Sequence, residues 1–214
     1  ANNTEECRGS DNASVPLTLK HDYYLKAFER AVREGGARSL MTAYNEINGV
    51  EGICNPEISE ICKKEWGLLF AVSDGGDFVQ NVQFHKHDEN HAEAAGRIYA
   101  NHGADIMCDD EQVVRTAVSG ALEQGLIAWE DIDRALYGVM KARILLGEFD
   151  EATPFDEYTD DMLCCDAHYK VTETAALESA ILLRNSKLML PLSKDEKLGV
   201  FGVHADMNFR DWYT

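Results

Sequence analysis

Apolar and polar positions alternate along the first two thirds of the chain in a pattern that predicts helices and strands in turn. Leu25, Phe28 and Val32 recur at helical spacing and two glycines follow them, which predicts a helix over residues 17–34. Further helices are predicted at residues 55–66, 91–102, 111–124 and 129–146. Short apolar runs at residues 39–44, 68–73 and 104–108 are typical of buried strands. This alternation, with glycine turns between the elements, predicts a parallel α/β architecture.

The pattern changes after residue 147. Residues 148–166 contain Pro154, many acids and little periodicity, which predicts a linker. A helix is predicted over residues 166–185, with Asp166 as its cap, and the apolar run at residues 198–203 predicts a strand. These two elements would open a second α/β domain. Three strands precede the linker, whereas a closed (β/α)8 barrel needs eight, so any barrel would be partial.

Composition and charge narrow the classes of partner. The chain has 38 acidic and 20 basic residues, a formal charge of −18, which disfavours nucleic acid and anionic lipid but is compatible with neutral sugars. No apolar run approaches the length of a membrane span, so we expect no membrane partner. Six cysteines without a CxxC pair are expected to be free thiols, which weakly favours the cytoplasm. The sequence does not indicate an oligomeric state.

The first candidate for chemistry is Asp74, which follows the apolar run at residues 68–73 and precedes two glycines. Reactive groups of α/β barrels lie at the carboxyl ends of strands. A carboxylate there can attack the anomeric carbon of a sugar while a second acid protonates the leaving oxygen. The alternative is that Asp74 only caps the next turn, and spacing alone favours neither.

The second candidate is the segment of residues 39–49, where a strand ends in an aromatic residue and several hydrogen-bonding side chains. Tyr44 offers an aromatic face and a hydroxyl group, both suited to a sugar ring. The simpler interpretation, favoured for this segment alone, is a buried tyrosine followed by a turn at Asn48 and Gly49.

Five segments in the same order resemble glycoside hydrolase family 3. Residues 39–49 are similar to its SxMxxYNxxNG segment, and residues 65–67 and 72–74 to its EWGF…VSD segment. Residues 125–135 resemble the helical segment before the linker, residues 145–150 the barrel exit, and residues 178–192 the entry to the second domain. The resemblance covers nearly the whole chain and identifies it as an internal fragment of a family 3 protein.

The resemblance implies a retaining exo-β-glycosidase that hydrolyses terminal β-linked sugars, with Asp74 as the nucleophile and with Tyr44 and Met41 bordering the subsite of the reacting sugar. It implies a carbohydrate substrate and no metal or organic cofactor. The family's Lys-His pair and its general acid would lie outside the chain, so no acid is assigned. Many relatives have Trp after the nucleophile, whereas this chain has Gly75. Glucosides, xylosides and α-arabinosides therefore all stay open.

By the same resemblance, residues 1–147 are expected to form the C-terminal part of the barrel and residues 148–166 the linker. Residues 167–214 would contain the first helix and strand of an α/β sandwich domain. A partial barrel exposes strand edges, so we expect the isolated chain to be inactive.

Two other functions stay open. A metal-dependent hydrolase could use Asp74 together with His85, His87 and His91, although this histidine spacing is a weak metal signal and favours a polar loop near the pocket mouth. A catalytically silent carbohydrate-binding relative is the other alternative.

Overall fold

The computed structural model describes residues 6–207. The chain divides into two compact units, Ala1–Thr153 and Pro154–Thr214. The division falls inside the predicted linker.

The first unit contains helices and short strands, but they do not alternate as regularly as the sequence pattern predicts, since several strands and then several helices follow one another. In chain order its strands and helices are β1 (Asn12–Ala13), α1 (Leu17–Leu19), α2 (Lys26–Arg33), β2 (Ser39–Met41), β3 (Glu46–Ile47), β4 (Val50–Glu51), β5 (Phe70–Val72), α3 (Asp77–Gln80), α4 (His91–Ala100), α5 (Glu111–Glu123) and α6 (Trp129–Leu145). Wide π-helical turns occur at Lys20–Tyr24, Ile58–Lys63 and Asn81–His85, and a 3₁₀ turn at Gly52–Cys54. The helices predicted at residues 17–34 and 55–66 are therefore helical but irregular.

Two parallel strands lie next to each other although 28 or more residues separate them along the chain. β2 pairs with β5 in the register Ser39 to Phe70 and Met41 to Val72, and Val72 forms a parallel bridge to Ile106. The prediction of a strand over residues 104–108 is wrong in length, because only the bridge at Ile106 forms. The backbone amides of Asp105 and Ile106 both donate to the carbonyl of Ala71, so the regular ladder is interrupted there.

A second, three-stranded sheet has the order β1–β3–β4, with β1 parallel to β3 and β3 antiparallel to β4. The turn between β3 and β4 is the predicted Asn48–Gly49 turn. Both residues have positive φ, 55° and 80°, as a type I′ hairpin requires. This hairpin places Glu46 and Glu51 opposite each other, which matters for the charge cluster described below.

Helices α4, α5 and α6 enclose the main core of the unit. Phe78, Ile98 and Ala121 are fully buried in one cluster to which all three helices contribute. Helix α6 approaches β5 closely at Gly138, where an added Cβ atom would lie 1.9 Å from the carbonyl oxygen of Leu69. Only glycine allows this contact.

The second unit contains helix α7 (Asp166–Glu178) and 3₁₀ turns at Asp160–Met162 and Ser186–Leu188. The predicted helix is confirmed but ends at Glu178, and its cap is Cys165, with Asp166 as the first helical residue. The strand predicted at residues 198–203 is wrong, since these residues have no regular structure. A strand requires a hydrogen-bonding neighbour, and the described part of this unit contains none.

The mixed helix and sheet content confirms the predicted α/β class. All six cysteines are free, as expected from their spacing. Among the described residues, no helix combines the length and the apolar character needed to cross a membrane.

Candidate active site

The parallel pairing of β2 and β5 brings the two sequence-predicted segments to one edge of the sheet. The backbone amide of Thr42 donates to the carbonyl of Val72 at 2.9 Å, which extends the pairing by one residue beyond the strands. Parallel strands end at the same edge, so Tyr44 and Asp74, which follow β2 and β5, lie beside each other.

Asp74 lies in the tight turn between β5 and α3. Its side chain is half-buried, and its Oδ1 accepts a hydrogen bond from the Gly75 amide at 2.7 Å. Its carbonyl accepts from the Asp77 amide at 3.2 Å. The residue at the N-cap of α3 is Gly76, with φ of 81°, so the carboxylate closes the turn but does not cap the helix.

Tyr44 is buried, with 8% of its surface exposed, and its hydroxyl group donates to the carbonyl of Gly75 at 2.6 Å. The guanidinium of Arg8 lies over its ring, 4.6 Å from the centroid. Burial, reinforced by the charge of Asp74, raises the pKa of Tyr44 to about 12. The hydroxyl therefore keeps its proton at neutral pH and stays bonded to the turn that carries Asp74.

Asp74, Tyr44 and Met41 line one cavity of ≈320 Å³. This volume is within the range of small-ligand sites. Met41 is 60% exposed, whereas the preceding residue of β2, Leu40, packs against the apolar cluster that contains Trp66. Other residues that line the cavity are mainly apolar: Leu25, Phe28, Leu40, Ala43, Ile47, Ile58, Cys62 and Trp66. The cavity thus combines an apolar wall with a carboxylate at its edge.

Gly75 leaves open space beside the carboxylate. A Cβ atom added there would meet no other atom within 4 Å, and its φ is not positive. The backbone therefore does not require glycine at this position. The absence of a side chain here widens the access to Asp74.

Asp77, the first residue of α3, is a buried carboxyl group close to Asp74, and the sequence did not indicate its burial. It is 1% exposed, and the hydroxyl of Thr42 donates to its Oδ2 at 3.4 Å. Burial, with the charges of Asp74 and Asp109 adding to it, raises its pKa to about 7 although the bond from Thr42 opposes the shift. Nothing in the sequence marks this carboxyl as buried, because its environment depends on contacts with residues more than 30 positions away.

The histidine loop does not form the arrangement considered from the sequence. His85 and His87 both contact Glu46, whereas the ring of His91 packs against Phe78 with centroids 5.5 Å apart. The Nε2 atom of His91 is buried and has no hydrogen-bond partner among residues 6–207. The residues whose potential ligand atoms do converge are Glu46, Glu51 and His87.

Comparison with known proteins identifies relatives along most of the chain. It is 29% identical over 200 residues to probable β-D-xylosidase 6 and 30% identical over 204 residues to β-D-xylosidase 1, both from Arabidopsis thaliana, matching 91% and 92% of the chain. It is also 30% identical over 195 residues to an exo-α-(1→6)-L-arabinopyranosidase of Bifidobacterium longum, across 90% of the chain. The chain spans about a quarter of the length of these curated relatives. No family model matches the sequence.

Solved structures give the same result for the fold. A family 3 exo-β-xylosidase in complex with a xylobiose aziridine activity-based probe matches with a TM-score of 0.72 and 27% identity, covering 88% of this chain and 25% of that one. A family 3 β-glucosidase of Bifidobacterium adolescentis matches with a TM-score of 0.60 and 26% identity, covering 90% of this chain and 26% of that one. Over about nine tenths of its length, the chain is therefore similar to a segment that makes up about a quarter of these family 3 enzymes.

Proposed function

We propose that this chain is the nucleophile-bearing part of a retaining exo-β-glycosidase that hydrolyses terminal β-linked xylosides or glucosides through a covalent glycosyl-enzyme at Asp74. The observation that carries the proposal is the position of the Asp74 carboxylate. It follows a buried parallel strand and lines the same cavity as Tyr44 and Met41.

The contacts of Asp74 suit a nucleophile. Its Oδ1 atom accepts from the Gly75 amide, which orients the carboxylate within the turn. The attacking oxygen of such an enzyme forms a bond to the anomeric carbon while an acid protonates the departing oxygen, with the two carboxyl groups roughly 5–5.5 Å apart. Asp77 is closed to substrate by its burial, so we do not assign it as the acid. We propose that the acid belongs to another part of the protein.

Tyr44 and Met41 are proposed to border the subsite of the reacting sugar. The hydroxyl of Tyr44 is occupied by Gly75, so its contribution is to hold the turn and to present part of its ring. The exposed side chain of Met41 offers an apolar contact on the same cavity. The names of the relatives favour a pentose, and the open space at Gly75 fits a site without an aromatic platform beside the nucleophile.

We further propose that residues 1–147 form the C-terminal part of a (β/α)8-type barrel, that residues 148–166 form a linker and that residues 167–214 begin a sandwich domain. The parallel alignment of β2, β5 and Ile106, with helices between them, supports the barrel. The same proposal predicts that residues 1–214 alone have no glycosidase activity. Turnover of an aryl β-xyloside by the purified 214-residue chain would contradict it.

The decisive experiment labels the full-length protein that carries this segment. 2-Fluoro-xylosyl fluoride and 2-fluoro-glucosyl fluoride are applied in parallel, and the modified peptide is mapped by mass spectrometry. We expect attachment at Asp74, faster with the reagent that matches the natural sugar. Asp74→Asn should abolish labelling and reduce turnover by orders of magnitude, whereas Asp133→Asn, at an exposed position of α6, should change neither. Attachment at another residue would refute the assignment.

The same two reagents distinguish an active glycosidase from a catalytically silent carbohydrate-binding relative. A silent relative would bind xylose oligosaccharides but show neither labelling nor turnover in the full-length protein. The metal-dependent alternative with Asp74 and all three histidines finds no support in the geometry, since His91 packs against Phe78, away from Glu46.

A further inference from the structure

Three carboxylates are buried together outside the cavity of Asp74. Glu46 in β3 and Glu51 in β4 have side chains that are 10% and 2% exposed, and the side chain of Asp88 is 7% exposed. Arg97 of α4 contacts two of them. It donates to both oxygens of Glu51 at 2.6 and 2.8 Å and to Asp88 at 2.5 and 3.0 Å.

This cluster contains more buried negative charge than its guanidinium group offsets. Glu51 and Asp88 share the single guanidinium group of Arg97. Three carboxylates and one guanidinium leave two negative charges. Buried charges are costly unless they are compensated, so two protons or one divalent cation would balance the cluster.

The hydrogen bonding of His85 points to a missing positive charge. Its side chain is 2% exposed, and its Nε2 lies 2.8 Å from the carbonyl oxygen of Tyr44. A carbonyl only accepts, so Nε2 carries the hydrogen, and in a neutral imidazole Nδ1 is then a bare acceptor. Nδ1 lies 3.2 Å from Oε1 of Glu46, which is also an acceptor. Two facing lone pairs require a proton or a metal ion beside them.

His87 supplies a second imidazole to the same carboxylate. Its Nε2 lies 2.6 Å from Oε1 of Glu46 and 3.8 Å from Oε1 of Glu51. One potential ligand atom from each of Glu46, Glu51 and His87 lies within 4.8 Å of the other two. Zn²⁺ binds imidazole nitrogen and carboxylate oxygen at about 2.0–2.2 Å, so adjacent ligands of a tetrahedral site are about 3–3.5 Å apart. The two separations from His87 Nε2, 2.6 and 3.8 Å, lie on either side of that spacing.

We propose that Glu46, Glu51 and His87 bind a divalent transition-metal ion of the zinc class, with His85 Nδ1 as the nearest further donor. Mixed imidazole and carboxylate ligands suit Zn²⁺. The surroundings match those of metal sites, because Arg97 orients Glu51 and the other nitrogen of His85 is bonded to a backbone carbonyl. The ion offsets the two residual charges of the cluster.

The consequence is structural and does not rest on the glycosidase proposal. The ligands come from the β3–β4 hairpin and from the loop over residues 85–88, so the ion ties these two segments together. His85 also bonds to the backbone of Tyr44, which links the site to the segment that borders the Asp74 cavity. No ligand is a residue proposed to act on the sugar.

Zinc binding to the full-length protein tests the proposal. The protein is stripped with a chelator and titrated with Zn²⁺ by calorimetry in two buffers of different ionisation enthalpy, and Co²⁺ is used as a spectroscopic probe of the ligands. We expect one site per chain that is weakened at least about tenfold in His87→Ala and in Glu46→Gln. Protons should be released on binding, since the metal replaces them between the ligands.

The matched control is His168→Ala in the second unit, which should bind Zn²⁺ like the original protein because His168 is exposed on α7. His87 is 45% exposed, so its removal should leave the fold intact, which circular dichroism checks. Absence of Zn²⁺ binding by the stripped protein would overturn the proposal and leave protonated histidines as the compensating charge. Equal affinities of the original protein and the folded His87→Ala variant would overturn it as well.

Discussion

Asp77 should make the stability of the first unit depend on pH in a direction opposite to that of most carboxyl groups. Its side chain is 1% exposed, and burial is the main cause that raises its pKa from 3.8 to about 7. The negative charges of Asp74 and Asp109 act in the same direction. The bond from Thr42 is too long, at 3.4 Å, to stabilise the ionised form fully.

The folded state therefore holds a proton that the unfolded state releases. The stability that this proton contributes is fully present below pH 4 and is lost as the pH rises from about 4 to about 7. A difference of about three pKa units at 1.36 kcal/mol each corresponds to about 4 kcal/mol. Between pH 5 and pH 8.5 the free energy of unfolding should fall by about 2–3 kcal/mol. The rest of the roughly 4 kcal/mol is already lost at pH 5, which lies above the unfolded-state pKa.

Asp77→Asn removes this dependence, because an amide of similar shape stays neutral at both pH values. Urea unfolding of the full-length protein, followed by tryptophan fluorescence at pH 5 and pH 8.5, measures the effect. On going from pH 5 to pH 8.5, the free energy of unfolding of the variant should rise by about 2–3 kcal/mol relative to that of the original protein. Glu123→Gln, at an exposed position of α5, should stay within about 0.5 kcal/mol at both. An Asp77→Asn effect that is the same at pH 5 and pH 8.5 would refute the reasoning.

Two further predictions concern the packing that positions the site. Gly138→Ala should lower the free energy of unfolding by about 1–3 kcal/mol, because the new Cβ would lie 1.9 Å from the carbonyl oxygen of Leu69. The control is Gly120→Ala, whose Cβ would lie 3.3 Å from a methyl group. In the same urea assay this control should be neutral or stabilising. Equal effects of the two alanines would contradict this contact. Tyr44→Phe removes the 2.6 Å bond to the Gly75 carbonyl and should lower kcat/KM on an aryl β-xyloside by roughly 2- to 10-fold. An unchanged kcat/KM would show that this bond does not hold the nucleophile turn.

The local sequence was sufficient to predict most helices, the two central strands and the Asn48–Gly49 turn. These elements depend on periodicity and on residues such as glycine that favour positive φ, and both are visible over a few positions. The position of Asp74 at the end of an apolar strand was equally visible. Parallel pairing then requires that this residue and Tyr44 meet at one edge of the sheet.

The strand expected at residues 198–203 shows where local pattern is insufficient. An apolar run becomes a strand only when another backbone segment pairs with it, and no such partner exists within the described residues of the second unit. The prediction of a strand at residues 104–108 was wrong for a related reason. The amides of Asp105 and Ile106 share the Ala71 carbonyl, so only one bridge forms. Helix α7 formed nevertheless, because its hydrogen bonds lie within the segment itself.

Tertiary structure alone decided the environments of the charged groups. Asp77 is buried by contacts that include Thr42, 35 positions away, and the hydroxyl of Tyr44 reaches the Gly75 carbonyl across 31 positions. His87 meets Glu46 across 41 positions. The sequence determined which residues could carry chemistry, because residue type and local backbone are local properties. Burial and charge compensation depend on neighbours distant along the chain, so only the folded arrangement fixed them.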